Sequence, residues 1–150
     1  MVSMLPVASS ERDEFLRMAV AHFSELNASF VPEDDWTKCY FETILAAPQV
    51  FLRWILCEEQ RAGFILFGLE KHRFLPRQTG AIYEVYVRPE FRRRGLARAC
   101  AGDAIRELWT HTPSKIQLEV VAGRTAAAAL WMSLGFRKVT DRMVLTGGGQ

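Results

Sequence analysis

The order of the predicted elements indicates an α/β fold with a mixed β-sheet. Two amphipathic helices come first, a run of antiparallel strands follows, and the chain then continues in the order β-α-β-α-β. Helices are predicted where apolar residues recur every three or four positions, and strands where short runs of β-branched and aromatic residues lie between turn residues. Helices of this kind bury their apolar faces against a sheet that contains both parallel and antiparallel pairs.

The first part of the chain supplies an edge strand and both of these helices. The strand covers residues 4–7, and Ser9 or Ser10 is a suitable cap for the first helix. Pro32 suits the first turn of the second helix, and Pro48 marks its end.

The rest of the chain alternates between strands and helices. The predicted segments are strands at 50–57, 62–69, 81–87 and 115–121, a helix from 96 to a break at 112–113, a helix from 125 to 135, and one or two final strands at 136–139 and 143–146. The strand at 62–69 is apolar on both faces, so we expect it at the centre of the sheet.

Length and composition are those of one globular domain. The 150 residues are 49% hydrophobic and 24% charged, which is sufficient for a buried core. We expect a single domain over residues 1–146 and a disordered glycine-rich tail at 147–150. The three cysteines are odd in number and lack C-x-x-C spacing, which indicates reduced thiols in a cytoplasmic protein.

Composition also argues against several classes of function. Scattered histidines without an H-E-x-x-H motif predict no metal site. No apolar run approaches the ~18 residues of a membrane span, so no membrane association is expected. The net charge of +2 is small, and the one arginine cluster lies at a helix start without interleaved aromatic residues. We therefore expect no nucleic-acid partner.

The turn between the strand at 81–87 and the next helix is the most informative part of the chain. Pro89 ends the strand because proline has no donor for the ladder. The turn then consists of Arg92, Arg93, Arg94, Gly95, Leu96, Ala97 and Arg98. A helix start offers unpaired N–H groups and partial positive charge, and glycine lets a ligand approach the backbone. The turn suits an anion such as a diphosphate; the alternative is a basic loop before an ordinary helix.

This turn resembles the coenzyme A signature of the GCN5-related N-acetyltransferases, the GNAT family. The resemblance rests on Val87-x-Pro89-x-x-Arg92-x-x-Gly95-x-Ala97. It implies acetyl-CoA as co-substrate, with its diphosphate on the amides and guanidinium groups of residues 92–98. It also implies that the backbone of Val85, Tyr86 and Val87 bonds the pantetheine arm of the coenzyme as an added strand would.

A second resemblance lies downstream, in Ala127-x-x-Leu130-Trp131-x-x-x-Gly135-Phe136. This stretch is similar to the last helix of the GNAT family and to the Gly-Phe that opens its next strand. Together the two resemblances imply a splayed, mostly antiparallel sheet of six or seven strands flanked by about four helices. The strand at 81–87 would part from the strand at 115–121, and the pantetheine arm would lie in that gap.

Glu84 is the candidate catalytic residue. It is predicted on the same strand face as Ile82 and Tyr86, in an otherwise apolar segment where an unpaired charge is costly. The resemblance implies a general base here. Such a base would deprotonate an alkyl amine, which is only about 0.1% neutral at pH 7. The alternatives are a structural ion pair, for instance with Arg53, and an exposed strand face.

Two positions depart from the family's pattern. The family usually has a tyrosine at the place of Trp131, whose hydroxyl protonates the departing thiolate, and an indole N–H is too weak an acid for that. Three outcomes are open: Trp131 packs beside the coenzyme, Ser133, Tyr86 or water supplies the proton, or turnover is slow or absent. Arg124 stands where asparagine is common, and it either bonds the pantetheine amide or lies in solvent.

Glu33, Trp36 and Tyr40 are the candidate acceptor residues. The resemblance implies that the region before and within the second helix borders the acceptor pocket, where an acidic mouth would attract a cationic amine. The acids that begin at Glu33 have a second interpretation, because negative charge is favourable in the first turn of any helix.

The sequence thus predicts an N-acetyltransferase that moves the acetyl group of acetyl-CoA directly to a primary amine of a small molecule or peptide, without a metal. The alternative is an acyl-CoA-binding module with little or no turnover, which the loss of the tyrosine favours. The sequence does not specify the amine, the length of the acyl group or the oligomeric state, although the short final strand leaves open a pairing across a homodimer.

Overall fold

A five-stranded sheet forms the centre of the protein. The computed structural model describes residues 2–147, and its strands lie side by side in chain order. The strands are β1 (Val2–Pro6), β2 (Val50–Cys57), β3 (Gln60–Lys71), β4 (Gln78–Val87) and β5 (Ile116–Gln117). The helices are α1 (Arg12–Leu26), α2 (Asp34–Ala46), α3 (Leu96–Trp109) and α4 (Thr125–Ser133). This architecture confirms the predicted α/β class with a mixed sheet.

The last two strands touch only at their beginnings. Strands β1 to β4 pair antiparallel, whereas β4 and β5 pair in parallel. The parallel pairing joins Gly80 to Ile116 and Ala81 to Gln117. Over residues 82–87, β4 has no partner strand on this side among the residues that the structure describes. That edge presents backbone donors and acceptors to which another chain or a ligand can bond.

Helices cover both faces of the sheet. On one face, Ala104 of α3 and Trp131 of α4 belong to one buried cluster. On the other face, Phe15 of α1 and Phe41 of α2 belong to a second cluster. Strand β3 is buried on both faces from residue 62 to 69, as its apolar run predicted. Each fully buried side chain as large as valine or phenylalanine contributes about 1.5–3 kcal/mol to the stability of the fold. The two clusters therefore hold the sheet between its helices.

A β-bulge at Tyr83 determines which face Glu84 occupies. Consecutive residues of β3 pair with Glu84 and Ile82, so Tyr83 is an extra residue in β4. Ile82 packs in the cluster under α3 and α4, whereas Tyr86 packs in the cluster under α1 and α2. The predicted common face of Ile82, Glu84 and Tyr86 is wrong, because strict alternation of side chains does not continue across a bulge.

Arg53, the ion-pair partner considered for Glu84, binds Glu107 of α3 instead. Its two terminal nitrogens donate to the two carboxylate oxygens at 2.5 and 2.7 Å. The guanidinium also lies 5.3 Å from the ring centroid of Phe51 and 5.1 Å from that of Phe67. Pairing of Arg53 with Glu84 is therefore wrong, because Arg53 lies on the α3 face of the sheet.

Replacing Glu107 by glutamine is expected to lower thermal stability in a pH-dependent way. The hydrogen bond from Arg53 lowers the pKa of Glu107 below its ordinary value. A carboxyl group whose pKa is lower in the folded state stabilises that state above its unfolded pKa of about 4.3, and the stabilisation is lost as the pH falls through the folded value. Thermal unfolding at pH 7 and pH 3.5 tests this. The difference in thermal midpoint between wild type and Glu107→Gln should be smaller at pH 3.5 than at pH 7. An equal difference at both pH values would contradict this prediction.

The two final strands predicted at 136–139 and 143–146 do not form within residues 2–147. Strand β5 contributes only two residues, so its edge offers too short a ladder for a further strand. Met143 and Leu145 are instead 92% and 98% exposed. The predicted count of six or seven strands is wrong, and the homodimer pairing through the last strand loses its basis. Apart from Gly147, the predicted tail at 147–150 lies outside the described residues.

Candidate active site

The turn between β4 and α3 presents a helix start with unpaired amides. Gly95 is the N-cap of α3, with φ 74° and ψ 17°, and no side chain caps the helix. The Ala99 N–H donates to the Gly95 carbonyl at 3.0 Å. The amides of Leu96, Ala97 and Arg98 therefore have no partner inside the helix, and the helix dipole adds partial positive charge beside them.

Space at Gly95 allows an anion to reach these amides. A Cβ placed on Gly95 would meet no atom of residues 2–147 within 4 Å. The positive φ of Gly95 is a conformation that glycine adopts without strain, and Arg93, with φ 64°, lies in the same region. The corner thus fits a diphosphate both by its donors and by its room.

The arginines of the turn fall into two groups. Arg92 donates to both carboxylate oxygens of Glu25 at 2.7 and 2.9 Å and to the Val87 carbonyl at 2.7 Å. Arg98 donates to a serine hydroxyl on α4. Arg93 and Arg94 are exposed, and neither forms a salt bridge or bonds a side chain of any described residue. Arg94 makes a long hydrogen bond of 3.5 Å to the Glu90 carbonyl and lies 5.5 Å from the ring centroid of Phe91. Arg92 and Arg98 therefore connect the turn to neighbouring helices, whereas Arg93 and Arg94 point no charge at a protein carboxylate and can turn to an anion.

The unpaired edge of β4 leads directly into this turn. The side chains of Val85 and Val87 are half-buried and pack against the cluster under α3, whereas Tyr86 is buried on the opposite face. Side chains of the three residues thus leave the plane of the sheet, and their backbone groups line its edge. An extended ligand lying along this edge would reach the helix start at its far end.

Arg124 approaches the same residue of α1 as Arg92 does. Its Nη1 donates to the Glu25 carbonyl at 3.1 Å, while the Glu25 carboxylate accepts from Arg92. Glu25 therefore binds two guanidinium groups on one side of the turn, a role that could not be predicted from the sequence because both arginines are distant in the chain. A bond from Arg124 to a pantetheine amide stays a prediction.

Trp131 is a core residue of α4. Its side chain is 9% exposed, and its ring packs edge-on against Phe136 with 5.7 Å between centroids. Neither of the two side chains considered as substitute proton donors is well suited to that role. The Ser133 hydroxyl donates to the Leu130 carbonyl at 2.6 Å, and burial raises the pKa of Tyr86 above its ordinary value. Packing is the role of Trp131 that is visible in the structure.

Glu84 forms a hydrogen-bonded pair with His22 of α1. The Oε1 atom of Glu84 lies 3.2 Å from Nε2 of His22, and the two side chains are 18% and 10% exposed. Burial and, secondarily, the charge of Glu84 raise the pKa of Tyr40 far above its ordinary value. Glu84 therefore faces α1 and α2, on the side of the sheet opposite α3.

The candidate acceptor residues separate into a half-buried aromatic pair, Trp36 and Tyr40, and the exposed Glu33. Trp36 and Tyr40 stack with 4.9 Å between ring centroids, and Phe23 of α1 packs edge-on against both at 6.1 and 5.9 Å. Glu33 is the exposed N-cap residue of α2 and makes no side-chain cap. Tyr40 is close enough to Glu84 for the carboxylate charge to raise its pKa, while Glu33 lies at the surface where α2 begins.

His22 is the residue near Glu84 that the sequence analysis did not single out. One signal was present: His22 follows Phe15 by seven positions and Ala19 by three, which puts it on the apolar stripe of α1. A polar residue on a buried stripe needs a partner. The partner could not be named from sequence, because Glu84 lies 62 positions away and its face depends on the bulge.

Residues 2–147 contain neither a metal-binding cluster nor a membrane-spanning helix. No three His, Cys, Asp or Glu side chains there are grouped to hold a metal ion. No helix in the same range is long and apolar enough to cross a bilayer. Burial, with a smaller contribution from Asp103, raises the pKa of the Cys100 thiol to about 12, so this cysteine resists ionisation.

A sheet that is parted beside β4, with a basic helix start at the mouth of the gap, is the architecture of an acetyltransferase. Residues 15–136 match the model of the acetyltransferase (GNAT) family, and the chain belongs to that family. The ribosomal protein bS18-alanine N-acetyltransferase of Salmonella typhimurium strain LT2 is 43% identical over 61 residues, which are 41% of this chain and 41% of that protein. The alignment thus spans about two fifths of that relative's length.

Solved structures extend the likeness to nearly the whole chain. A transcriptional regulator from Bacillus halodurans C-125 superposes with a TM-score of 0.81 at 15% identity, over 98% of this chain and 100% of that one. An aminoglycoside N-acetyltransferase in complex with CoA superposes with a TM-score of 0.72 at 17% identity, over 100% of this chain and 96% of that one. At such identities the likeness establishes the fold.

Proposed function

We propose that this protein transfers the acetyl group of acetyl-CoA to a primary amine of a small molecule or peptide. The observation that carries the proposal is the start of α3, where three amides without helical partners lie beside an open Gly95 and two exposed arginines. Family membership supports the same co-substrate. The three cysteines are free, which is consistent with the cytoplasmic location that we propose.

The chain's own residues would hold the donor at two places. The diphosphate would accept from the amides of Leu96, Ala97 and Arg98 and from the side chains of Arg93 and Arg94. Each hydrogen bond to a charged group contributes about 1.5–3 kcal/mol. The pantetheine arm would bond the backbone of residues 85–87 along the unpaired edge of β4. Arg92 and Arg98 would hold the turn in place through Glu25 of α1 and Ser133 of α4. Arg124 would connect the start of α4 to the same residue of α1.

Glu84 would act as the general base on the acceptor side of the sheet. It would take a proton from the ammonium group, directly or through water, and the neutral amine would then attack the thioester carbonyl. Amides of the β4 edge would stabilise the negative charge that develops on the carbonyl oxygen. The burial of Cys57 and Cys100 makes both unsuitable for an acyl-cysteine intermediate, and direct transfer also leaves the exposed Cys39 of α2 unused.

The leaving thiolate needs no strong acid from the protein. A thiol has a pKa of about 8.5, so its thiolate is a modest base and can depart unprotonated at small cost. The proposal therefore accommodates Trp131 in place of the family's usual tyrosine. The buried position of Trp131 supports a packing role beside the coenzyme.

Two substitutions of Trp131 separate packing from chemistry. Trp131→Ala is expected to destabilise the fold by about 3–5 kcal/mol in urea denaturation, because it leaves a large cavity beside Phe136. Trp131→Phe keeps most of the ring contact and is expected to leave kcat within a few-fold of wild type. A Trp131→Phe variant that folds normally but has no turnover would show that the indole N–H takes part in the reaction.

The acceptor is proposed at the level of its chemistry. The matched relatives are named for acetylating an alanine of a ribosomal protein and an aminoglycoside, both of which are amines. Here the proposed acceptor surface combines Glu84, the stacked rings of Trp36 and Tyr40, and the exposed carboxylate of Glu33. Acidic and aromatic groups together favour a cationic amine.

Thiol release tests the proposal. The protein is incubated with acetyl-CoA and a panel of amines, namely polyamines, aminoglycosides, amino acids and peptides with free N-termini, and free thiol is measured together with acetylated product by mass spectrometry. Amine-dependent release of thiol is expected. Acetyl-CoA binding without release for any amine would favour the alternative of an acyl-CoA-binding module, and no binding at all would overturn both functions.

A further inference from the structure

The pair formed by His22 and Glu84 is built from two separate elements. His22 comes from the buried stripe of α1, and Glu84 comes from the first position after the β-bulge of β4. Nε2 and Oε1 are 3.2 Å apart. An ionised carboxylate only accepts hydrogen bonds, so Nε2 carries the proton in this pair. The bulge directs Glu84 toward α1, and without it the carboxylate would point to the α3 face.

Aromatic rings enclose the imidazole and fix its plane. The ring centroid of His22 lies 5.1 Å from Phe23, 5.8 Å from Phe64 and 5.6 Å from Tyr86. A ring packed on three sides cannot rotate away from Glu84 without displacing its neighbours. Oε1 is therefore held in one direction, while Oε2 makes no hydrogen bond with the residues that the structure describes.

Other titratable and charged groups lie around the pair. Strand β4 contributes Tyr86, helix α2 contributes Tyr40, and strand β3 contributes only the uncharged ring of Phe64. Beyond Tyr86 lie four charged groups that act on its hydroxyl, namely Glu25 of α1, Arg88, Glu90 and Arg92. Among the described residues, Glu84 is the one that forms a hydrogen bond with the His22 ring.

We propose that His22 is a positioning residue for Glu84: its imidazole N–H holds one carboxylate oxygen so that the other faces the acceptor amine. This inference rests on the proposed acetyl transfer. When the base acts, an N–H bond of the ammonium breaks, the proton passes to Oε2, and the Nε2–H bond to Oε1 persists.

Two variants of His22 test the positioning role by kinetics. His22→Gln places an amide N–H near the position of Nε2 but cannot titrate, and His22→Leu fills the space without a donor. We expect His22→Gln to keep kcat within a few-fold of wild type at pH 8, because its amide N–H can still donate to Glu84. His22→Leu should lower kcat by about 10–100-fold, with unchanged affinity for CoA by calorimetry. Equal kcat values for the two variants would overturn the proposal.

A measurement on the resting protein distinguishes this inference from the proposed function. The Nε2–H proton of His22 is observed by NMR at pH 8 in wild type and in Glu84→Ala, with no substrate present. The hydrogen bond to Glu84 is expected to slow the exchange of this proton with water in wild type, and the exchange should become fast in Glu84→Ala. Equally fast exchange in both proteins would overturn the pairing even if acetyl transfer is observed. Slow exchange in wild type without transfer for any amine would leave the pair intact and refute the proposed function alone.

Discussion

Glu84→Gln is expected to lower kcat by about 10²–10⁴-fold at pH 7, the range that a positioned general base supplies. Glutamine has the same shape, and its side-chain carbonyl still accepts the bond from His22, but the amide cannot take a proton. The effect should shrink toward pH 10, where a large share of an alkyl amine is already neutral. Affinity for acetyl-CoA should not change, because Glu84 faces α1 and α2 while the helix start lies beyond the far end of β4.

Glu107→Gln is the matched control for this variant. Glu107 is also a partly buried, hydrogen-bonded glutamate, but its partner Arg53 lies on the α3 face. It should retain the kcat of wild type at 25 °C even though it lowers thermal stability. A loss of kcat in Glu84→Gln that is the same at pH 7 and at pH 10 would remove Glu84 from the role of base.

Gly95→Glu is expected to weaken acetyl-CoA binding by about 100-fold or more. The new carboxylate would occupy the space that is open at Gly95, and it would repel the diphosphate. Two charged hydrogen bonds lost at about 1.5 kcal/mol each correspond to about 100-fold in affinity. Any L-residue at this position is also strained, because φ is +74°. Calorimetry with acetyl-CoA measures the change.

Gly95→Lys separates charge from strain. Lysine imposes the same backbone strain with a side chain of similar length, but its charge is favourable to a diphosphate. We expect Gly95→Lys to bind acetyl-CoA at least tenfold more tightly than Gly95→Glu, with similar thermal midpoints for the two variants. Equal affinities would show that the backbone conformation matters and that no anion binds at this corner.

The sequence was most informative where local chemistry determines the structure. The turn at residues 92–98 depends on a glycine with positive φ, a helix pattern that starts at Leu96 and a run of arginines, all of which are adjacent in the chain. Strand β2 has the predicted bounds for the same reason, because its apolar run and the turn after it are local. The helix α3 likewise follows from its own four-residue periodicity.

Features that depend on a distant partner could not be predicted in this way. The bulge at Tyr83 arises from the register of β4 against β3, so the face of Glu84 was assigned incorrectly to that of Ile82. The final strands were predicted from apolar runs, but a strand also needs a neighbour with free backbone groups, and β5 is too short to provide one. The division of the arginines depends on Glu25, which lies 67 positions from Arg92.

The most direct test of the account asks whether Gly95 acts on the diphosphate itself. Acetyl-CoA and S-acetylpantetheine, which lacks the diphosphate and the nucleotide, are titrated by calorimetry into wild type and into Gly95→Glu. We predict that Gly95→Glu lowers the affinity for acetyl-CoA by about 100-fold or more. Its affinity for S-acetylpantetheine should stay within about threefold of the wild-type value. The same loss for both ligands would contradict this prediction, because the helix start at Gly95 would then not be the place where the diphosphate binds.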